Sequence, residues 1–310
     1  MKLISVVTPC FNEELNVLEL TERVRAVFAA LPQYDYEHLF IDNASTDGTV
    51  AVLREIARGD ARVKVIVNRR NFGHVRSPVH GILQAKGEAV VALASDLQDP
   101  PELIPEFLLR WESGAQVVLG VKESSEETVA MFALRSVYYR LLGMLSEVPL
   151  VQHATGFGLY DRSVVDVLRE INDPYPYVRG LVAELGFDCA TIGYRQPLRR
   201  RGITKNNFFT LYDLAMVGIT SHSKLPLRVA TILGFGLSVL SFVVALLYLV
   251  YKLVFWHSFP IGIAPLVIGF FLSFSILLFF LGVLGEYVGL LYSRSLRRPL
   301  VLERERINFS

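Results

Sequence analysis

Two stretches of this 310-residue chain carry no charged residue, and they limit where everything else can go. Residues 229–251 contain no Asp, Glu, Lys or Arg, and neither do residues 258–285. Each exceeds the ~20 apolar residues that cross a bilayer. The competing reading, a helix buried in a soluble core, needs uncharged helices of unusual length. Lys224 and Arg228 precede the first run, and Arg294, Arg297 and Arg298 follow the second. The connecting loop, about 252–261, holds only Lys252. The positive-inside rule then puts both chain ends in the cytoplasm and the loop outside. Two spans can anchor a domain. They enclose no wide aqueous path unless several chains assemble, so a homo-oligomer stays open. The start, Met1-Lys2-Leu3-Ile4, runs straight into a strand-like segment, so no signal peptide is expected.

Residues 1–223 hold nearly all the charge and alternate strand with helix. Residues 4–9 are a β-branched run closed by a proline, hence a strand. Asn12 is placed as N-cap of a helix over 15–30, with acidic residues in its first turn. Further strands are expected at 36–41, 63–67, 89–94, 116–121, 156–160 and 188–194. Helices are expected after residue 49, over 74–86 and from about 102 to 113. Such alternation predicts a mostly parallel, doubly wound α/β sheet. Polar turns fall at successive strand ends, at Asn12, Asp42, Asn71 and Asp96, and would line one crevice. No G-x-G-x-x-G or G-x-x-x-x-G-K-[ST] occurs, so dinucleotide and P-loop readings lose their main support. A formal net charge of +1 argues against bulk nucleic-acid binding. Cys10 and Cys189 are too few for a disulfide framework.

The chemistry concentrates in Ser95-Asp96-Leu97-Gln98-Asp99-Pro100-Pro101-Glu102. Asp96 follows an apolar strand, where open α/β sheets bind ligands. A carboxylate with an amide oxygen two residues on suits a hard divalent cation, Mg2+ or Mn2+. The alternative is that Asp96 only caps the next helix. Residues 131–145 and 207–219 are rich in Leu, Tyr and Phe. They read either as interface helices or as ordinary helices packed on the sheet. Arg195, Arg199, Arg200, Arg201 and Lys205 crowd one segment. It reads as a solvated loop, a topology signal or an anion site at the membrane surface.

Taken together, Pro9-Cys10-Phe11-Asn12-Glu13, Asp42-x-x-Ser45-x-Asp47, Asn71-x-Gly73, the Asp96-to-Glu102 stretch and Arg201-Gly202-Ile203-Thr204-Lys205 resemble the glycosyltransferase family 2 enzymes. The polyprenyl-phosphate glycosyltransferases are the most similar group. It includes dolichol-phosphate mannose synthases and bacterial undecaprenyl-phosphate glucosyltransferases. The resemblance implies a GT-A fold, a nucleotide-diphosphate sugar donor, a divalent metal and inversion at the anomeric carbon. By position, Pro9, Phe11, Asn12, Glu13 and Asp42 would hold base and ribose, with Asn71, Ser95 and Asp96 completing the donor site. Asp96 and Gln98 would bind the metal. Arg200, Arg201 and Lys205, with Lys122 and Arg135, would receive the acceptor phosphate. Asp96, Arg201 and Lys205 would carry the catalysis. Ala94 and Asn43 stand where the family often has Asp, Phe11 where Tyr is frequent and Thr204 where Ser is.

The implied architecture is a cytoplasmic GT-A domain (1–206), an interface helix (207–223), two spans (about 226–252 and 260–286, within 224–293) and a cytoplasmic tail (294–310). The implied reaction moves a hexose, glucose from a UDP-sugar by preference, onto undecaprenyl phosphate at the cytoplasmic membrane. Alternatives are a mannose synthase-like enzyme using GDP-mannose and a catalytically silent, membrane-tethered nucleotide-sugar binder. A polymerising transferase would carry more spans and a Gln-x-x-Arg-Trp segment, absent here.

Overall fold

The computed structural model describes residues 1–124, 154–173, 176, 178–196, 263–295 and 299–309, with scattered positions from 232 to 255. The expected strands form with boundaries shifted by a few residues. They are β1 (Lys2–Cys10), β2 (Tyr34–Asp42), β3 (Val63–Asn68), β4 (Ala89–Ala92), β5 (Val117–Ser124), β6 (Ala154–Asp161) and β7 (Cys189–Arg195). The first four helices are α1 (Val17–Ala29), α2 (Thr49–Gly59), α3 (Gly73–Gln84) and α4 (Ile104–Glu112). Two more, α5 (Arg162–Ile171) and α6 (Val178–Glu184), lie between β6 and β7 and are additional to the sequence reading. A long helix, α7, covers Ile263–Ser295, and an eighth strand, β8, covers Glu303–Ile307.

The eight described strands join one sheet in the order β7-β5-β6-β4-β1-β2-β3-β8. Pairs β1/β2, β1/β4, β2/β3 and β5/β7 are parallel; β6 and β8 run against their neighbours. Side chains alternate faces along a strand, so each central strand feeds two cores. Ile4 and Val6 of β1, Phe40 of β2 and Val65 of β3 pack with α1, α2 and α4 through Leu20, Leu53 and Phe107. Val7, Ile41 and Ile66 face the opposite way, onto α3 and α5 through Ile82, Val164 and Leu168. Gly81 lets α3 approach closely, since a Cβ there would come within 2.8 Å of Val7.

One expectation is corrected at α1. Asn16, not Asn12, precedes the helix. Asn12 adopts a left-handed φ of 59° and its side-chain oxygen accepts from Thr46 N at 2.8 Å. It serves the junction of two strand ends, so its oxygen is unavailable as a cap.

A buried polar knot holds the amino-terminal half of the sheet. Glu37 accepts from Ser5 Oγ (2.5 Å), Lys64 Nζ (2.6 Å) and Lys86 N (2.7 Å). Burial alone would raise this carboxyl, but the bonds from Lys64, Ser5 and Lys86 outweigh it and hold it below the usual carboxylate range. A depressed folded pKa stabilises the native state above the ordinary carboxylate range, and that stability is lost as pH falls through the folded value. Glu37→Gln should therefore cost about 1–2 kcal/mol at neutral pH. Thermal unfolding across a pH series should show the gap to the parent closing on acidification.

Residues 131–145, 207–219 and the basic segment 197–205 lie outside the described residues, as does most of the first uncharged run. A hairpin of two spans is thus not described; one long helix is. Counted over described side chains, no helix is long and apolar enough to cross a membrane. The backbone of α7 is described throughout and its side chains only in part. Those described include the exposed Leu266, Phe270, Leu277 and Phe279.

Candidate active site

The chain leaves β1 for β2 and β3 on one side, then returns to β4 on the other. Strand order therefore reverses at β1, and a crevice opens beyond the carboxyl ends of β1, β2 and β4. Register fixes what borders it: Cys10 pairs with Asp42, Val7 pairs with Ala92, and Leu93 N donates to Val7 O at 2.9 Å.

The turns after β1 and β2 are laced together. Asp42 is fully buried and takes both the backbone N–H (3.0 Å) and the hydroxyl of Ser45. Asn12 N in turn donates to the same hydroxyl oxygen at 2.9 Å. Burial pushes the Asp42 carboxyl above its ordinary range, and the Ser45 bonds hold it partway back. Glu13 is buried, its N–H bound to Thr49 Oγ1 (2.8 Å) and its carboxylate to Asn16 (2.5 Å). Asp47 accepts the Thr49 hydroxyl at 2.5 Å, closing the lattice.

Asn43, which sequence analysis passed over as a site residue, is the hub of the next turn. Its amide donates to Asn71 Oδ1 (2.9 Å) and Gly73 O (3.2 Å). Its oxygen accepts from Phe72 N (2.8 Å) and Asn68 Nδ2 (3.3 Å). An ionised aspartate only accepts, so it could not make the first two bonds. The signal was available: an amide at the end of a strand, directly after Asp42 and before a polar turn.

The Asp96-to-Glu102 stretch divides by role. Glu102 makes two bonds to Arg23 of α1, at 2.8 and 2.6 Å. Asp99 is buried and accepts the Tyr194 hydroxyl from β7 at 2.7 Å. Burial pushes the Asp99 carboxyl up to about 6; Asp96 adds to the rise, while Tyr194 and Lys122 oppose it. These two acids anchor the turn. Asp96 and Gln98 stay half-buried, and Asp96 Oδ1 accepts from Gln98 N at 3.2 Å. No helix begins near Asp96. The following 3-10 turn starts at Pro101 behind Pro100, with no side-chain cap. The helix-cap alternative therefore fails.

Between them lies Leu97, buried, with a φ of 60°. Ala44, at the end of β2, has a φ of 63°. Alanine and leucine rarely adopt this conformation, which costs roughly 1–3 kcal/mol. With Asn12, these positions sit at the ends of β1, β2 and β4; Asn172 and Asn308 share the conformation elsewhere, where asparagine adopts it readily. Such strain clusters where ligands are held.

The structure thus brings together Pro9, Phe11, Asn12, Glu13, Asp42 and Asn71 around one crevice edge, with Ser95, Asp96 and Gln98 at the end of β4. Lys122 lies on β5 opposite Tyr194, within electrostatic reach of Asp99. Arg135, Arg200, Arg201 and Lys205 lie outside the described residues. The oxygen donors of Asp96 and Gln98 fit Mg2+ or Mn2+, which take few protein ligands and the rest from water and substrate phosphate. Among the described residues no group of three His, Cys, Asp or Glu side chains converges.

The chain is similar to several known proteins. The chain is 36% identical over 299 residues to the uncharacterized glycosyltransferase YkcC of Bacillus subtilis (strain 168), covering 96% of this chain and 92% of that protein. It is 32% identical over 299 residues to the bactoprenol glucosyl transferase of Shigella phage SfV, covering 96% of both. Among solved structures, it is similar to glucosyl-3-phosphoglycerate synthase from Mycobacterium tuberculosis in complex with UDP. That match has a TM-score of 0.48 and 21% identity over 71% of this chain and 78% of that one. The family model for Glycosyl transferase family 2 matches residues 5–168, which hold β1 to β4 and every turn of the crevice described above, and the chain belongs to that family.

Proposed function

We propose that the chain transfers a hexose, glucose by preference, from a UDP-sugar to undecaprenyl phosphate at the cytoplasmic face of the membrane, with inversion at the anomeric carbon. The observation that carries this reading is the switch-point crevice, with buried Asp42 on one side and Asp96 on the other. The full-length likeness to bactoprenol glucosyl transferases supports the acceptor and the sugar.

Asp42 and the Asn12 turn would hold base and ribose, and the turn at Asn71 would close that side. Asp96 and Gln98 would hold Mg2+ or Mn2+, which when bound neutralises charge on the leaving diphosphate. The acceptor needs little activation. A phosphate monoester has a second pKa near ~6 and is largely dianionic at neutral pH, so no general base is required. Its oxygen bonds to the sugar C1 as the bond from C1 to the nucleoside diphosphate breaks, and the diphosphate leaves with the electron pair. What remains is to bring two anions into register, the task assigned to Arg201 and Lys205, with Lys122, Arg135 and Arg200 in support.

The membrane reading rests on the two charge-free runs of the sequence, 229–251 and 258–285, each longer than the ~20 residues that cross a bilayer; paired as a hairpin they would return the chain to the side it left, where β8 joins the sheet. Both termini and the catalytic domain would then lie in the cytoplasm.

The test is a donor panel with purified full-length protein, undecaprenyl phosphate and Mg2+ or Mn2+, scoring released nucleotide and labelled lipid. UDP release from UDP-glucose that depends on lipid phosphate is expected. GDP release from GDP-mannose would replace the sugar assignment. Donor binding with no release on adding lipid phosphate would leave a silent binder. In the same assay Arg201→Ala and Lys205→Ala should each raise the KM for lipid phosphate about tenfold, with donor affinity kept. If neither the KM nor the rate moves, the acceptor assignment fails.

A further inference from the structure

The segment that follows α7 does not end as a loose tail. β8 pairs antiparallel with β3, with Val65 opposite Ile307 and Asn68 opposite Glu303. The pairing is irregular between Val67 and Asn68, a bulge at the crevice end of β3. Arg69, just past that bulge, donates its backbone N–H to Leu302 O at 2.9 Å and its Nε to Glu303 O at 3.2 Å. Arg76 donates to Pro299 O at 2.5 Å and lies over the Phe72 ring, 5.5 Å from its centroid. His80 pairs with Glu303 at 2.6 Å. At the far end Asn308 donates to Ala57 O (2.6 Å) and Val63 O (2.9 Å). Residues on both sides of the turn at 71–73 are thus held by the last dozen residues of the chain.

We propose that residues 299–303 act as a positioning strap for the donor site, holding the turn at 71–73 through Arg76 and Arg69, so that nucleotide affinity depends on the segment that emerges from α7. This rests on the reading of that turn as part of the nucleotide pocket. The contacts run in sequence: Arg76 donates to Pro299 O and lies over the Phe72 ring, Phe72 N donates to Asn43 Oδ1, and Asn43 follows Asp42 in the chain. Arg304 on β8 also acts electrostatically on Asp42. The strap removes the free edge of β3 as well, but a plain edge cover would not need bonds to both flanks of one turn.

The experiment measures UDP affinity by calorimetry on the full chain in detergent, with Arg76→Ala, a truncation after Arg298, the two combined, and Asn308→Ala. Arg76→Ala and the truncation should each weaken UDP binding at least fivefold, and the combination no further, because both cut one path. Asn308→Ala, which loosens the far end of β8 beyond the strap, where it meets α2 and β3, should lower the melting temperature with UDP affinity held within twofold. Should the truncated chain fail to fold, Arg69→Ala, which removes the side-chain bond to Glu303 O, takes its place in the same cycle. Unchanged affinity in the folded variants overturns the strap. Additive losses do so too, since Arg76 would then act on the nucleotide independently. A parent chain that binds neither UDP nor GDP overturns the donor reading, and the strap with it.

Discussion

Asp96→Ala should lower sugar transfer about a thousandfold, roughly 4 kcal/mol of transition-state stabilisation, in a chain that still folds. The magnitude follows from what the side chain does. It is the half-buried carboxylate at the end of β4 whose neighbours in the motif, Asp99 and Glu102, are committed to Tyr194 and Arg23. Its described bond is one backbone contact from Gln98, so its removal leaves no buried donor stranded and little stability at stake. Glu102→Ala is the matched control. It removes a pair whose side chains are 30% and 55% exposed, worth at most about 1 kcal/mol, and should leave turnover within a few-fold. UDP binding with and without Mn2+ gives a second readout: the cation should strengthen it in the parent chain and not in Asp96→Ala. Near-normal turnover in Asp96→Ala would remove the metal assignment.

The parallel half of the sheet was legible because strands buried on both faces are written as runs of Val, Ile and Phe, and each ended in a turn of Asn, Asp or Gly. The crevice followed from the same fact, since the polar residues recur where strands stop. β8 was not legible. Glu-Arg-Glu-Arg-Ile shows no apolar period, because an edge strand bonded on one side by backbone and held on its faces by ion pairs has no need of one. α5 was readable and passed over: Asp161 caps it through Ser163 N, and Val164, Val165 and Leu168 repeat at helical spacing. Asn12 went wrong for a physical reason. An Asn before a helical run looks like a cap, and nothing local announces that its partner lies at Thr46, across two strands. Asn43 shows the same limit, since its four bonds run to residues 68–73 and only the fold brings them within reach.

Asp42→Asn should weaken UDP-glucose binding about thirtyfold, close to 2 kcal/mol, with kcat at saturating donor changed much less. Asp42 is fully buried, and its two oxygens already take the Ser45 backbone and hydroxyl. An amide keeps the shape and one acceptor but turns the other oxygen into a donor facing donors, at the spot proposed to receive ribose hydroxyls. The carboxylate sits where burial raises its pKa, so it is held ionised against a cost, and acidification should neutralise it sooner than an exposed aspartate. Affinity of the parent chain for UDP-glucose should then fall as pH drops through that raised range. The donor's own diphosphate keeps its charge there, because both phosphates are esterified. Asp42→Asn should be weak throughout and lack that pH dependence. Calorimetry without lipid separates this from acceptor effects. A variant that binds UDP-glucose as tightly as the parent, or that retains the parent's acid limb, would move the nucleotide away from the end of β2 and leave the strain at Ala44 without a function.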